Sequence, residues 1–209
     1  MRLLLVGSTG LVGQHVLGLA LADPRVTEVV ALARRALPEQ PKLLAPLVDF
    51  ERLPEDASWW RADAVICTLG TTMRAAGSQE AFRRVDKHYP LAVARLARRH
   101  GTPAYVLNSA MGADPSSRFF YNRVKGEVER ELSLLGFRSL TILRPGLIGG
   151  RRQERRPAEQ LGGMVLGLLA PVLPRRLRIN PAASIARAMV DAAIAATPGE
   201  RIIGSAELA

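Results

Sequence analysis

The apolar run Leu3 to Val6 leads directly into Gly7-Ser8-Thr9-Gly10-Leu11-Val12-Gly13, and a helix-like stretch, Leu11 to Ala22, grows out of that segment. Nothing else in the chain constrains its fold as much. A strand, a glycine-rich turn and a helix in this order form a phosphate cradle. The glycines let the backbone turn tightly and approach a diphosphate closely, and the helix N-terminus supplies free N–H groups and the positive end of a dipole. On this reading Gly7, Gly10 and Gly13 shape the cradle, and Thr9, Leu11 and Val12 lie beside the phosphates. The spacing is G-x-x-G-x-x-G, a variant frequent in one branch of dinucleotide-binding proteins. The bland alternative is a tight strand-to-helix turn without a ligand.

The rest of the chain alternates strands with helices, the pattern of a doubly wound parallel sheet with helices on both faces. Strands are expected at Leu3–Val6, Val26–Ala33, Leu44–Val48, Ala64–Leu69, Ala104–Asn108, Leu140–Leu143 and Ile202–Ile203. Helices are expected at Leu11–Ala22, Gln79–Arg99, Ser117–Leu135, Pro157–Leu169 and Ala183–Ala195. Gly101 and Gly136 fall where helix C-caps belong. Pro90 begins a second helical segment or kinks the first. A chain of 209 residues suits one α/β domain and is tight for two. Residues 1–143 read as its nucleotide-binding core. From Arg144 onward the sequence turns rich in Arg, Gly and Pro, and 144–209 reads as a small substrate lobe.

The net charge of +10 is almost wholly arginine, since Lys42, Lys87 and Lys125 are the only lysines. A polyanion such as nucleic acid is one reading of that charge. The arginines are dispersed, however, with short clusters such as Arg34-Arg35, Arg151-Arg152, Arg155-Arg156 and Arg175-Arg176. No aromatic residues interleave with them to stack bases. A solvated, arginine-biased surface is the simpler reading, and no nucleic-acid partner is expected. The single cysteine, Cys67, cannot form an internal disulfide, which fits a reducing compartment, and a cytoplasmic location is expected. No signal peptide is expected, because the apolar start stops at Val6. Leu161 to Leu173 is apolar but holds three glycines and a proline and is too short for a membrane span. A helix in the small lobe fits it, with interfacial membrane contact as the alternative.

Several residues point to a nicotinamide dinucleotide. In NAD-binding units an acidic residue about 20 residues past the glycines accepts from the adenosine ribose. Here the end of the second strand offers Arg34 and Arg35 instead. Their planar, permanently charged guanidiniums suit the 2′-phosphate of NADP, so NADPH should be preferred over NADH; two exposed surface arginines are the alternative. Asp49 follows the third strand, where a carboxylate could accept from the adenine amino group or simply form a turn. Leu69, Gly70 and Thr71 follow the fourth strand, where the glycine lets the backbone pass close to the middle of the cofactor. Tyr121 and Lys125 lie four residues apart in a helix-like stretch and share a face. A free tyrosine has a pKa of about 10, and a neighbouring ammonium favours the phenolate. Tyr121 can then act as general acid toward a carbonyl or as base toward an alcohol. Ser109 ends the fifth strand, twelve residues before Tyr121, and could hydrogen-bond the same oxygen.

In order, these motifs resemble the atypical branch of the short-chain dehydrogenase/reductase superfamily. Within it the chain is similar to the small NAD(P)-binding proteins related to the Tat-interacting-protein oxidoreductase. The likeness covers nearly the whole chain. Beyond the glycine motif and the Tyr121/Lys125 pair it includes Val48-Asp49-Phe50, Thr68-Leu69-Gly70-Thr71-Thr72, Val85-Asp86, Lys125-Gly126-Glu127-Val128-Glu129, Arg144-Pro145-Gly146 and the run Arg152 to Pro157. The resemblance implies a Rossmann-type fold, with Pro145 and Gly146 beside the nicotinamide and Lys125 on its ribose. It also exposes a departure. Classical members carry a catalytic asparagine on the helix after the fourth strand, where this chain reads Arg84-Val85-Asp86.

The sequence therefore describes an NADP-dependent oxidoreductase that transfers a hydride to or from a small carbonyl or alcohol substrate. The alternative is an NADP(H)-binding regulator without turnover, acting through a protein partner. No metal site is expected, because His15, His88 and His100 have no partners at ligand spacing. Cys67 reads as a buried strand residue and Trp59-Trp60 as packing at a helix edge. The Arg151–Arg156 cluster fits an anionic substrate or partner, or a solvated loop. Monomer and homodimer are both compatible with the sequence.

Overall fold

A computed structural model describes residues 1–149, 174 and 178–209. The expected helix Pro157–Leu169, the apolar stretch 161–173, the Arg151–Arg156 cluster and Arg175-Arg176 lie outside the described residues. Seven parallel strands form the main sheet: β1 (Arg2–Val6), β2 (Glu28–Leu32), β3 (Leu43–Leu44), β4 (Ala64–Cys67), β5 (Ala104–Asn108), β6 (Ser139–Arg144) and β9 (Gly199–Gly204), in the order β3-β2-β1-β4-β5-β6-β9. The chain winds outward from β1 to β3, then returns to the other side of β1 and winds outward again. This is a Rossmann-type doubly wound α/β sheet, and its switch point lies between β1 and β4.

The central strands β1, β4 and β5 read as short, largely apolar runs because both faces of the sheet are covered there. Alternate side chains serve opposite cores. Leu3, Leu5, Ala64, Ile66, Ala104 and Val106 pack with Val12, Val16 and Ala20 of helix α1 (Leu11–Ala22) and with Ile185, Met189 and Val190 of helix α6 (Ala182–Ala195). Leu4, Val6, Val65, Cys67, Tyr105 and Leu107 pack with Leu91, Ala94 and Ala97 of helix α4 (Tyr89–Arg99) and with Val128 and Leu132 of helix α5 (Phe120–Ser133). Trp60 is fully buried in this second core, and its indole N–H donates to the Pro54 carbonyl at 2.7 Å.

Three details differ from the sequence reading. The region Gln79–Arg99 is continuous but not uniform: α3 (Gln79–Arg83) widens into a π-helical turn, Arg84–His88, before α4 begins with Pro90 in its first turn. A short helix, α2 (Met73–Ala76), precedes it, capped by the Thr72 hydroxyl, which accepts from Ala75 N–H. Residues 180–209, expected within a small lobe, instead complete the main layer. There α6 packs on α1, β9 pairs with β6, and the short helix α7 (Ser205–Leu208) follows. Only a two-stranded pair, β7 (Ile148–Gly149) with β8 (Asn180–Pro181), stands apart from the main sheet among the described residues.

An ionic cluster fastens α5 to the π-helical turn. Glu127 accepts from Arg83 at 2.6 Å and from Lys87 at 2.8 Å, and Lys87 also reaches Glu131 at 2.9 Å. The hydrogen bond from Arg83, opposed by partial burial and reinforced by Lys87, holds the Glu127 carboxyl at about 2, below its ordinary 4.5. A depressed carboxylate stabilises the fold fully above its unfolded value and ceases to do so as pH falls through its folded one. Glu127→Gln should therefore lose stability at neutral pH, by about 1 kcal/mol once solvent screening is allowed for. The deficit should shrink to nothing between pH 4.5 and about 2. Urea titrations across that range check this.

Candidate functional site

The C-terminal ends of β1, β4 and β5 open into a cavity of about 460 Å³ at the switch point. Its floor is the glycine turn. Gly7 has φ +88°, a left-handed conformation, and a Cβ on Gly13 would lie 2.0 Å from the Gly7 carbonyl oxygen. Only hydrogen fits at position 13 if α1 is to start this close to β1. Gly10 is the N-cap of α1, no side chain caps the helix, and its first turn holds no acidic residue. The first N–H groups of α1 and its positive dipole end are thus presented to the cavity, the arrangement that binds a diphosphate. Thr9, Gly10, Leu11 and Val12 line the wall at this point.

The opposite wall comes from the segments after β4 and β5 and from α5. Leu69, Gly70, Thr71, Ser109, Tyr121 and Lys125 all line it. Gly126 allows this closeness, since a Cβ there would lie 2.2 Å from the backbone of Asp114 and Pro115. Without that contact α5 could not press against the loop that follows Ser109. Tyr121 is partly exposed, its ring tilted against Phe82 with centroids 5.6 Å apart. Lys125 is buried, and its Nζ lies 2.8 Å from Asp86 Oδ1. Asp86 Oδ2 accepts from the Thr71 amide at 2.8 Å. Burial alone pushes the Lys125 ammonium toward losing its proton, but Asp86 and then Tyr121 outweigh it, and its proton affinity lies above the ordinary value.

Ser109 lines the cavity, but its hydroxyl is engaged elsewhere. Its amide donates to the Leu143 carbonyl at 2.8 Å, and its hydroxyl donates to Glu129 Oε1 in the buried space beneath α5. Arg144 grips Glu129, with Nε 3.1 Å from Oε2. The Ser109 proton is therefore committed, and the oxygen offers lone pairs, not a donor, to the cavity. Tyr121, Lys125 and Glu129 form one stripe of α5 at four-residue spacing. That spacing was visible in the sequence, but the partners of Glu129 were not.

The other expected cofactor residues divide. Arg35 lines the cavity and Arg34 is exposed next to it; neither has a hydrogen-bond or ion-pair partner among the described residues. Asp49 uses Oδ1 to accept from Glu51 N–H at 2.9 Å and lies off the cavity wall. Pro145 and Gly146 are also absent from the cavity wall. The Pro145 carbonyl accepts from Met111 N–H at 2.8 Å, and Gly146 N–H donates to Asn180 Oδ1 at 2.7 Å. Asn108, which no motif had singled out, lines the cavity with a buried Oδ1 that lacks a hydrogen-bond partner among the described residues. Cys67 is free and fully buried, and burial pushes its thiol up, as expected for packing and not for a nucleophile. No metal-binding cluster occurs among the described residues.

No protein-family model matches the chain. It is 40% identical over 178 residues to "Protein fmp52, mitochondrial" of Emericella nidulans, covering 80% of this chain and 76% of that one. It is 35% identical over 201 residues to "Protein HTATIP2" of Rattus norvegicus, covering 94% and 82% respectively. Among solved structures, MoeE5 in complex with UDP-glucose and NAD shares the fold, with a TM-score of 0.74 at 17% identity over 98% of this chain and 76% of that one. The expected cytoplasmic location is overturned by the fungal relative, a protein named mitochondrial. A lone cysteine reports the absence of an internal disulfide and does not distinguish one reducing compartment from another. No helix among the described residues is long and apolar enough to cross a membrane.

Proposed function

This chain belongs to the family of the fungal fmp52 proteins and HTATIP2, with the fold of NAD-binding short-chain dehydrogenase/reductase-type proteins, and from that premise we propose that it is an NADP(H)-dependent oxidoreductase acting on a small carbonyl or alcohol. One observation carries the reading: Tyr121 and Lys125 face the same cavity as the uncapped glycine-turn helix, across the switch point. The open space at Gly10 fits a dinucleotide diphosphate, and the nicotinamide supplies or accepts the hydride when bound. Lys125 binds ribose hydroxyls with the ammonium donors that Asp86 leaves free. Tyr121 donates its phenolic proton to a carbonyl oxygen, or takes one from an alcohol, with Lys125 stabilising the charge on the phenol oxygen. Pro145 and Gly146 border the nicotinamide, Asp49 offers its remaining oxygen to the adenine, and the segment after Arg144 shapes the substrate side. Because the Ser109 proton is engaged by Glu129, Ser109 serves as an acceptor for an alcohol proton before it serves as a donor to a carbonyl. The engagement of Ser109 by Glu129 favours the second reading, a nucleotide-binding regulator without turnover, since it removes one of the two hydroxyl donors expected at a carbonyl.

Cofactor choice follows from Arg34 and Arg35. A charge-assisted contact to the 2′-phosphate contributes about 1.5–3 kcal/mol, so NADPH should bind at least ~10-fold more tightly than NADH. Titration calorimetry with both nucleotides checks this. Arg34→Ala/Arg35→Ala should remove the preference while leaving NADH affinity within ~3-fold. Equal affinities in the unaltered protein refute the assignment. Following NADPH absorbance against a panel of aldehydes, ketones and quinones tests turnover itself, and binding without any reduction supports the regulator reading.

A further inference from the structure

Asp86 is 1% exposed at the centre of the π-helical turn, while its neighbours Val85 and Lys87 are half-buried. A π-helical turn adds a residue to the helix and re-aims a side chain, and such turns recur at functional sites. Here the re-aimed side chain is a carboxylate whose two oxygens are divided between cavity-lining groups, Lys125 Nζ and Thr71 N–H, each at 2.8 Å. Gly70 keeps the pair open to the cavity: a Cβ there would come within 3.4 Å of Asp86 Oδ1 and 3.7 Å of Lys125 Nζ, and a longer side chain would cover both. We propose that Asp86 is a positioning residue of the nucleotide site, the built-in counter-ion that keeps Lys125 charged and aimed into the cavity and fixes the Thr71 amide on the same wall. The inference rests on the nucleotide-binding reading above.

The physical need is clear. A buried ammonium without a partner loses its proton, because burial disfavours the charged form. The groups that act on Lys125 are Asp86 from the π-helical turn, Tyr121 from its own helix and Cys67 from β4. Of these, Asp86 is the group whose carboxylate oxygen sits in ion-pair contact with Nζ, at 2.8 Å, so the charge on Lys125 depends chiefly on it. A neutral lysine would lose both its charge and one N–H donor toward a ribose. The pair therefore holds Lys125 ready before any nucleotide arrives.

The test uses the full chain and two readouts. With only three lysines, Lys125 can be followed by NMR of its ε-carbon, assigned through Lys42→Arg and Lys87→Arg. In the unaltered protein Lys125 should titrate above the ordinary 10.5. In Asp86→Asn, which keeps an acceptor for Thr71 but no charge, it should titrate below that value. NADPH affinity, measured by fluorescence titration, should stay within ~3-fold from pH 6.5 to 9 in the unaltered protein and fall by at least ~10-fold over that range in Asp86→Asn. A purely structural ion pair would lower the melting temperature without bending this pH profile. An unchanged Lys125 titration in Asp86→Asn, or a flat affinity profile in it, overturns the proposal. If Asp86→Asn does not fold, the unaltered protein decides alone: a Lys125 that titrates below 10.5 overturns it. Failure of the unaltered protein to bind NADPH at any pH overturns the nucleotide reading instead, whatever Lys125 does in the NMR titration.

Discussion

Tyr121→Phe should bind NADPH as the unaltered protein does and lose ~10²–10⁴-fold of its carbonyl reduction, the range general acid catalysis supplies. The substitution is clean because of where the ring sits. Tyr121 packs on Phe82 through its aromatic face, which phenylalanine retains. Its hydroxyl has no hydrogen-bond partner among the described residues, so its removal orphans nothing in the apoprotein. Stability should therefore stay within ~0.5 kcal/mol, and thermal melts run beside the assay verify it. The loss should appear in kcat, since the phenol matters only as the proton moves. Lys125→Ala should differ in kind. It removes a ribose contact and leaves Asp86 buried without its cation, so affinity, rate and stability all fall. Unchanged reduction in Tyr121→Phe would refute the assigned proton donor.

Which parts of this site were legible in the sequence depends on how local their causes are. Helix α1 runs from Leu11 to Ala22 and β5 from Ala104 to Asn108, as expected, because each is fixed by a buried apolar pattern and a nearby glycine or polar stop. Tyr121 and Lys125 share a face by helix spacing alone. The expected strand Leu44–Val48 survives only as the ladder Leu43–Leu44 and an isolated bridge between Ala33 and Leu47. It lies at the sheet edge, where Leu44 and Leu47 stay exposed and no outer strand demands a regular ladder. The π-helical turn has only a coarse local signature: Pro90 signals a break in Gln79–Arg99, but not whether that break is a kink, a new segment or a wider turn. Its widening becomes meaningful only when Lys125 and Thr71, from α5 and the β4 loop, arrive to meet Asp86. Ser109 illustrates the same limit. A strand-end serine before a Tyr-Lys pair can be found in the chain, but the direction of its proton is set by Glu129 and Arg144, from a different helix and strand.

The glycine turn separates binding from folding within three residues. Gly10 has φ −75° and ψ 167°, an extended conformation open to any residue, and a Cβ there meets only the Gly7 carbonyl at 3.4 Å. Gly10→Asp should fold, and its carboxylate would occupy an N-cap where aspartate is preferred. That same carboxylate would satisfy the N–H groups and place negative charge where a diphosphate must sit. With charge-assisted bonds of about 1.5–3 kcal/mol each forfeited, NADPH affinity should drop by at least ~100-fold while the melting temperature holds or rises. Gly13→Asp should fail for another reason. Its Cβ would lie 2.0 Å from the Gly7 oxygen and 2.8 Å from Thr68 Oγ1, so α1 would have to leave β1 and the fold itself would weaken. Circular dichroism melts and fluorescence titrations on both variants distinguish the two effects. A Gly10→Asp protein that binds NADPH normally would mean that the phosphates lie away from this helix, because no dinucleotide diphosphate could share the N-terminus of α1 with that carboxylate.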